Sequence, residues 1–231
     1  MAALIDSDII AYRCAASAEN EPVDVAIMRV DNMIMEILGL ETDYISFLSG
    51  KNNFRKEINP NYKANRKDIV RPQHLDSCRN YLVTEYNSII TDGYEADDAL
   101  GFNLTEETVI YSIDKDLLMI PGHHYNFVKK EYREVSETDA LRAFYRQMLI
   151  GDSSDNIQGV AGIGKVKAAK LIDPLETEEE MYSIVRKLYY PVPDCKLIED
   201  EERFYMNADC LWIMRKEGER FSHRHEKTQM V

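Results

Sequence analysis

The chain of 231 residues carries 28 Lys and Arg against 41 Asp and Glu, a formal net charge of −13, with 45% hydrophobic and 30% charged residues. That length suits one large domain or one domain with a small appendage, and the balance is that of a soluble globular protein, not a disordered or collagen-like one. No apolar stretch reaches the ~18 residues of a membrane span, and Met1–Asp6 lacks the basic start and long apolar run of a signal peptide, so a cytoplasmic protein is expected. Cys14, Cys78, Cys195 and Cys210 lie too far apart for a Cys-x-x-Cys site, which disfavours a zinc site or a disulfide frame and leaves reduced thiols in or near the core.

In chain order, Ala2–Ile5 predicts a short buried strand ending at Asp6, with Ser7 or Asp8 capping a helix to about Ala18. A second helix fits Pro22 to Leu38, with Pro22 near its first turn and Gly39 closing it; Met28, Met33 and Met35 read as its apolar face. Tyr44–Leu48 predicts a buried strand. Pro72 opens a helix to about Glu85, and Ser88–Thr91 and Thr108–Ile113 are strands flanking a helix from Glu95 to about Leu104. Ser136 with Asp139 resembles a capping box for a helix ending near Ile150. Two further helices are expected near Glu176–Tyr190 and Glu199–Glu217, separated by a break at Pro191–Pro193. Such β-α alternation favours a parallel sheet with helices on both faces, whose sites gather at the carboxyl ends of the strands.

Charge is unevenly distributed. Residues 51–71 hold seven basic residues against Glu57 and Asp68, a local charge of +5 that leaves about −18 on the remainder. With scattered Asn and Pro and no clear period, this segment predicts a flexible loop or arch. If it turns helical on binding, Tyr62, Lys63 and Arg66 share a face, offering an aromatic platform for a base and two cations for a phosphate. A second phosphate-compatible stretch is Gly159-Val-Ala-Gly-Ile-Gly-Lys165, where glycines permit backbone N–H groups at a helix start to meet a phosphate, with Lys165, Lys167 and Lys170 adding charge. It is not a Walker loop, because Val166 supplies no hydroxyl after the lysine.

The acids give the sharper signal. Asp6 follows the first predicted strand, Asp92 and Glu95 the 88–91 strand, and Asp114 the 108–113 strand; Asp97, Asp98 and Asp116 lie close by in sequence, and Asp152 and Asp155 follow the helix ending near Ile150. Taken singly, each reads as a helix cap or a solvated charge. Converging at four strand or helix ends, they repel by about 4 kcal/mol per pair at ~4 Å in an effective dielectric of ~20, so such a cluster is strongly unfavourable unless protonated or neutralised by cations. Oxygen-only sites of this kind suit Mg²⁺ or Mn²⁺, and a pair of such ions hydrolyses phosphodiesters. The histidines form no ligand set: His123 and His124 are expected at a turn, and His223 and His225 lie near the end of the chain. Trp212 reads as core.

In order along the chain, LIDSDIIAYR (4–13), NFRKEINPNYKANR (53–66), GYEADDALG (93–101), SIDKDLL (112–118) and GDSSDNIQGVAGIGKVKAAKLI (151–172) resemble the 5′ nucleases, the flap-endonuclease and 5′-to-3′ exonuclease family, and most closely its bacteriophage members. The resemblance implies a PIN-like α/β core, a mostly parallel sheet flanked by helices, over residues 1–145, with the basic arch at about 50–71. It also implies a helix–three-turn–helix DNA-binding region and C-terminal helices over 146–231. It assigns Asp6, Glu95, Asp97, Asp98, Asp114, Asp116, Asp152 and Asp155 as ligands of two Mg²⁺ or Mn²⁺ ions, Lys63 and Arg66 as catalytic cations, and Arg13 as a contact to the strand near the site. The glycine hairpin would bind duplex DNA through Gly162, Gly164, Lys165, Lys167 and Lys170, and K⁺ through its carbonyls, while Tyr62 and Lys67 would face DNA from the arch. One departure stands out: many relatives carry an Asp at the end of the strand 44–48, where this chain has Ser49, and Asp8 is the candidate to compensate.

The reading is a metal-dependent hydrolase acting at 5′ ends of duplex or flapped DNA and extending to RNA primers, a monomer with a single-strand-binding protein or a polymerase as partner. Sequence leaves the exonuclease and flap endonuclease activities undivided. The alternative is a structure-specific DNA-binding protein impaired in hydrolysis; a ribonuclease of the smaller PIN toxin type is disfavoured because those chains lack the arch and the glycine hairpin.

Overall fold

The first strand, β1 (Ala2–Asp6), sends Ala3 and Ile5 to one face of the sheet and Leu4 to the other, as a two-residue period requires. The chain enters α1 (Ser7–Ser17) with no intervening loop, because Asp6 ends the strand and also caps the helix, its side chain accepting from the Ile9 N–H. The cap is therefore Asp6, not Ser7 or Asp8. The computed structural model describes residues 1–39, 43–190 and 198–225, so Cys195 and the expected break at Pro191–Pro193 lie outside the described residues.

Helix α2 (Val23–Leu38) buries Ala26, Val30, Ile34 and Ile37, a stripe at helical spacing, and Gly39 closes it at φ +55°. Met28 and Met35 are 53% and 61% exposed, so they do not form the inner face; the shorter aliphatic stripe occupies it. β2 (Tyr44–Leu48) follows, then α3 (Arg55–Ile58), a 3₁₀ turn at Ala64–Asp68, α4 (Leu75–Tyr86), β3 (Ile89–Ile90) and α5 (Ala96–Asn103). The basic stretch, expected as a flexible loop or arch, is folded onto the body: Phe54, Arg55, Asn59 and Tyr62 are buried, while Lys51, Lys56, Lys67 and Arg71 stay exposed.

After α5 come β4 (Thr108–Tyr111), a 3₁₀ turn at Asp116–Met119, the hairpin β5 (Gly122–Asn126) and β6 (Glu131–Val135), and α6 (Glu137–Ile150), capped by Ser136. His123 and His124 therefore lie in a strand; the turn comes after Asn126 and uses Lys130 at φ +58°. The sheet order is β3-β2-β1-β4-β5-β6, parallel throughout except for the β5–β6 pair. Ala3, Ile5 and Leu48 pack against α1, α2 and α4, whereas Leu4, Phe47 and Ile110 pack against α5. The sheet is thus covered by helices on both faces, as the β-α alternation predicts.

A small ladder of β7 (Gly151–Asp152) with β8 (Ile157–Gln158) leads through the glycine-rich turn to α7 (Lys165–Ile172), α8 (Glu178–Tyr189), α9 (Ile198–Leu211) and α10 (Phe221–His225). These helices share a core with α6 built on Phe144, Tyr145, Phe204, Trp212 and Phe221. Helix α9 ends at Leu211, short of the expected Glu217, because the chain continues as a buried run, Trp212–Met214, that crosses to α5. Gly101 permits that crossing, since a Cβ there would lie 2.1 Å from the Met214 carbonyl oxygen. Cys14, Cys78 and Cys210 are free and buried, as expected. Among the described residues no helix is long and apolar enough to cross a membrane.

Candidate active site

At the carboxyl ends of β1, β2 and β4 lies a cleft of about 370 Å³ whose walls include Asp6, Asp8, Glu95, Asp97, Asp114, Asp116, Asp152 and Asp155, with Lys63, Arg66 and Arg79. Local structure places each acid. Asp6 ends β1; Glu95 and Asp97 stand at the start of α5; Asp114 and Asp116 follow β4; Asp152 and Asp155 follow α6. Seven of the eight acids expected as metal ligands therefore share one cleft. Asp92 does not: it is exposed and accepts from Asn52 at 2.7 Å.

The eighth, Asp98, is turned away. Its side chain is fully buried, accepts two hydrogen bonds from the Arg55 guanidinium at 2.6 and 2.8 Å, and also accepts the Glu95 and Met214 N–H groups. Arg55 donates in addition to the carbonyls of Cys210 and Trp212. Fully buried and outside the cleft wall, Asp98 ties α5 to the basic segment and to the run after α9.

Crowding of acids shows in their protonation. Burial, with Asp8 and Asp114 beside it, pushes the Asp6 carboxyl up to about 7 despite hydrogen bonds from Ser112 Oγ and the Ile9 N–H. Burial followed by Asp6, Asp114 and Glu95 holds Asp97 far above the usual carboxylate range. Asp116 is raised by burial and Asp114, and Asp155 by burial. Burial also acts on Glu95, but Lys63 and Arg55 more than offset it and lower its pKa. In Asp152 the Ser154 hydroxyl and the Ser154 and Asp155 N–H groups outweigh burial and stabilise the carboxylate.

The basic segment supplies the opposing charge. Lys63 donates to Glu95 and lies 3.8 Å from Asp155, and Arg66 donates to Asp155 at 2.7 Å. The Lys63 N–H donates to the Asp155 carbonyl, Asn65 to that of Ser153, Arg66 Nε to that of Ser154, and Asn156 to that of Asn61. The loop carrying the cations is thus fastened to the loop carrying two of the acids. Tyr62 is 4% exposed, its hydroxyl donating to Glu95 and Asp155, so its ring is no platform for a base; it is packed behind the acids. Sharing a helical face was not needed to bring Tyr62, Lys63 and Arg66 together: Lys63 adopts φ +56° and the 3₁₀ turn begins after it.

Among the described residues no three of these side chains already form a ready-made ion cage, since Lys63, Arg66 and Tyr62 hold Glu95 and Asp155. The donor chemistry nonetheless fits hard divalent cations: the acid wall offers only oxygen ligands, and burial, followed by the neighbouring acids, pushes Asp6 and Asp97 up. Asp8 stands beside Ser49, as the compensation idea requires, but one of its oxygens accepts the Ser49 N–H at 2.8 Å and the other accepts from Arg79. Ser49 Oγ accepts the Ala96 N–H at the start of α5. Arg79 and Ser112 went unnoticed in the sequence, where an arginine inside a helix and a serine ending a strand carry no local signal.

The expected nucleic-acid contacts Arg13, Lys67, Gly162, Gly164, Lys165, Lys167 and Lys170 are all exposed. Gly162 has φ +74°, and Gly164 precedes α7, accepting the Ala168 N–H. The glycine-rich turn is anchored by the Val160 N–H to the Leu149 carbonyl, with Gly159 packed against residues 149–151 where a Cβ would collide.

The family model for the 5′-3′ exonuclease N-terminal resolvase-like domain matches residues 1–148. A 5′-3′ exonuclease of Mycoplasma pneumoniae is 30% identical over 227 residues, a match covering 81% of this chain and 76% of the relative. DNA polymerase I of Borreliella burgdorferi is 30% identical over 188 residues, covering 71% of this chain, which spans about a fifth (20%) of that longer protein. Among solved structures, the D15 protein of bacteriophage T5, co-crystallised with metal ions, superposes with a TM-score of 0.65 at 18% identity, covering 89% of this chain and 86% of its own. The same phage protein, as a flap endonuclease with DNA and metal ions, gives 0.61 at 20% identity, covering 89% of this chain and 86% of its own. These likenesses establish a shared PIN-like fold.

Proposed function

Because the chain belongs to the 5′-3′ exonuclease family, we propose that it hydrolyses phosphodiester bonds at 5′ ends of duplex or flapped DNA, and of RNA primers, in a reaction dependent on two Mg²⁺ or Mn²⁺ ions. The observation that carries the reading is the convergence of seven acids from four separate stretches of chain on one cleft that also holds Lys63 and Arg66.

Asp6, Glu95, Asp97, Asp114, Asp116, Asp152 and Asp155 would hold the ions; Asp98 is excluded from that set. When bound, the divalent ions supply Lewis-acid activation of water and charge neutralisation at the scissile phosphate. Lys63 and Arg66 would then exchange their carboxylate partners for phosphate oxygens and stabilise the charge that develops there. Asp114 and Asp116 are oriented by the 112–116 turn, in which Ser112 Oγ accepts the Asp114 N–H and Asp114 accepts the Asp116 N–H.

Residues 1–145 act as the nuclease core. Residues 146–231 supply a helix–three-turn–helix element in which α6, the glycine-rich turn and α7 grip duplex DNA through Lys165, Lys167, Lys170 and the amides at Gly162 and Gly164. A K⁺ ion on the turn's carbonyls, Arg13 and Lys67 on the strand near the cleft, a monomeric state, cytoplasmic action and a single-strand-binding protein or polymerase as partner complete the reading. The excess negative charge elsewhere disfavours nonspecific wrapping, so DNA approaches the basic faces. Cleavage of a 5′-labelled duplex with Mg²⁺, compared with EDTA, tests the proposal. Product sizing on blunt, nicked and flapped DNA separates exonuclease from flap endonuclease, and binding without cleavage in Mg²⁺ or Mn²⁺ would leave only a DNA-binding protein.

A further inference from the structure

Three cations line the acid cleft, and Lys63 and Arg66 are accounted for; the third is Arg79, on α4. Its guanidinium donates from Nη1 to Asp8 and from Nη2 to the Ser49 carbonyl, and its side chain is 23% exposed. A guanidinium carries five N–H donors in a rigid fork, so three of Arg79's have no protein partner among the described residues. Arg55 shows the contrast: buried, it spends Nε, Nη1 and Nη2 on protein acceptors. Arg79 is instead held by two of its donors and open at the others, and it lines the cleft.

The substrate's chemistry gives those open donors a task. A nucleic-acid strand brings one negative charge per ~3.4 Å of helix axis, so the scissile phosphate never arrives alone. Eight carboxylates line the cleft against three cations, and any neighbouring phosphate drawn in beside them needs a cation of its own. Lys63 and Arg66 both lean on Asp155, whereas Arg79 sits at the Asp8–Ser49 corner.

We propose that Arg79 is a substrate-contacting residue that binds a phosphate next to the scissile one in the cleaved strand, with Asp8 and the Ser49 carbonyl holding its guanidinium in place. The inference rests on the nuclease reading. On that reading, Asp8 is the support that fixes a phosphate-binding arginine, and its carboxylate need not substitute for the acid missing at Ser49.

The test is a double cycle. Substrates carrying one neutral methylphosphonate at each position flanking the cut are compared with the all-phosphate substrate, using unaltered protein and Arg79→Gln. Losing a hydrogen bond to a charged group costs about 10–100-fold. The unaltered protein should lose that much kcat/KM at one flanking position, Arg79→Gln should lose it on the all-phosphate substrate, and the two losses should not add at that position. Fluorescence anisotropy in EDTA should show the same non-additivity in Kd. A purely structural arginine would give additive losses at every position, which would overturn the proposal. Should Arg79→Gln fail to fold, Arg79→Lys, which keeps the charge and loses the fork, enters the same cycle. No cleavage by the unaltered protein in Mg²⁺ would reject the nuclease reading itself, whereas cleavage with additive cycles would reject only the role of Arg79.

Discussion

Replacing Asp98 with Asn separates a buried structural acid from its neighbours in the cleft. The substitution keeps the shape and one carbonyl oxygen but strips the charge from a pair in which Arg55 is 3% and Asp98 0% exposed at the side chain. Breaking a buried ion pair by removing one partner costs about 3–5 kcal/mol, because the remaining charge is left uncompensated. Asn can still accept from the Glu95 or Met214 N–H, so the lower end, about 3 kcal/mol, is expected. With a urea m-value at the top of its range of about 1–3 kcal/mol per M, the midpoint should fall by about 1 M or more. Trp212 is the only tryptophan of the chain, and its carbonyl accepts from Arg55, so its fluorescence reports on the region disturbed. Magnesium titration of the same protein under folding conditions should give unchanged affinity. An unmoved urea midpoint combined with weakened metal binding would refute the reasoning and return Asp98 to the ligand set.

Asp97→Asn and Asp155→Asn should each lower turnover by about 10²–10³-fold, the scale on which transition-state charge stabilisation is lost, while leaving DNA affinity by gel shift intact; retained turnover in both would remove them from the site. Asp6 gives a pH dependence. With its carboxyl raised from 3.8 to about 7 chiefly by burial, the folded state holds a proton that the unfolded state releases, so this contribution is full below pH ~4 and is lost as pH rises through 7. That change amounts to about 4 kcal/mol at most, taking 1.36 kcal/mol per tenfold step. Melting in EDTA should therefore weaken from pH 5 to pH 8, with Mg²⁺ restoring stability mainly at pH 8; a Tm flat across that range in EDTA would contradict the burial argument. Gly101→Ala should destabilise by about 1–3 kcal/mol, despite alanine's better helix propensity, because its Cβ meets the Met214 carbonyl at 2.1 Å. A neutral or higher urea midpoint would show that the 212–214 run yields easily.

The sequence by itself determined the frame of the site. Acids that end apolar strands or open helices are placed by rules a few residues long, so Asp6, Glu95 and Asp114 could be assigned to one end of a parallel sheet before any contact was known, although the same rule also pointed to Asp92, which lies outside the cleft. The Ser136 cap is local in the same way, whereas the methionines of α2 point to the wrong inner face, and the β5–β6 hairpin, lacking an Asn-Gly turn and using Lys130 at φ +58°, left no such mark. Only the tertiary structure could divide Asp97 from Asp98, adjacent on one helix, because the deciding partner, Arg55, lies 43 residues away. The same holds for Tyr62, which looks like a surface aromatic in a basic run and becomes a buried donor once that run docks on the 153–156 loop. Local chemistry fixes where a charge is carried along the chain; whether it faces a cleft, a counter-ion or the core depends on which distant segment folds against it.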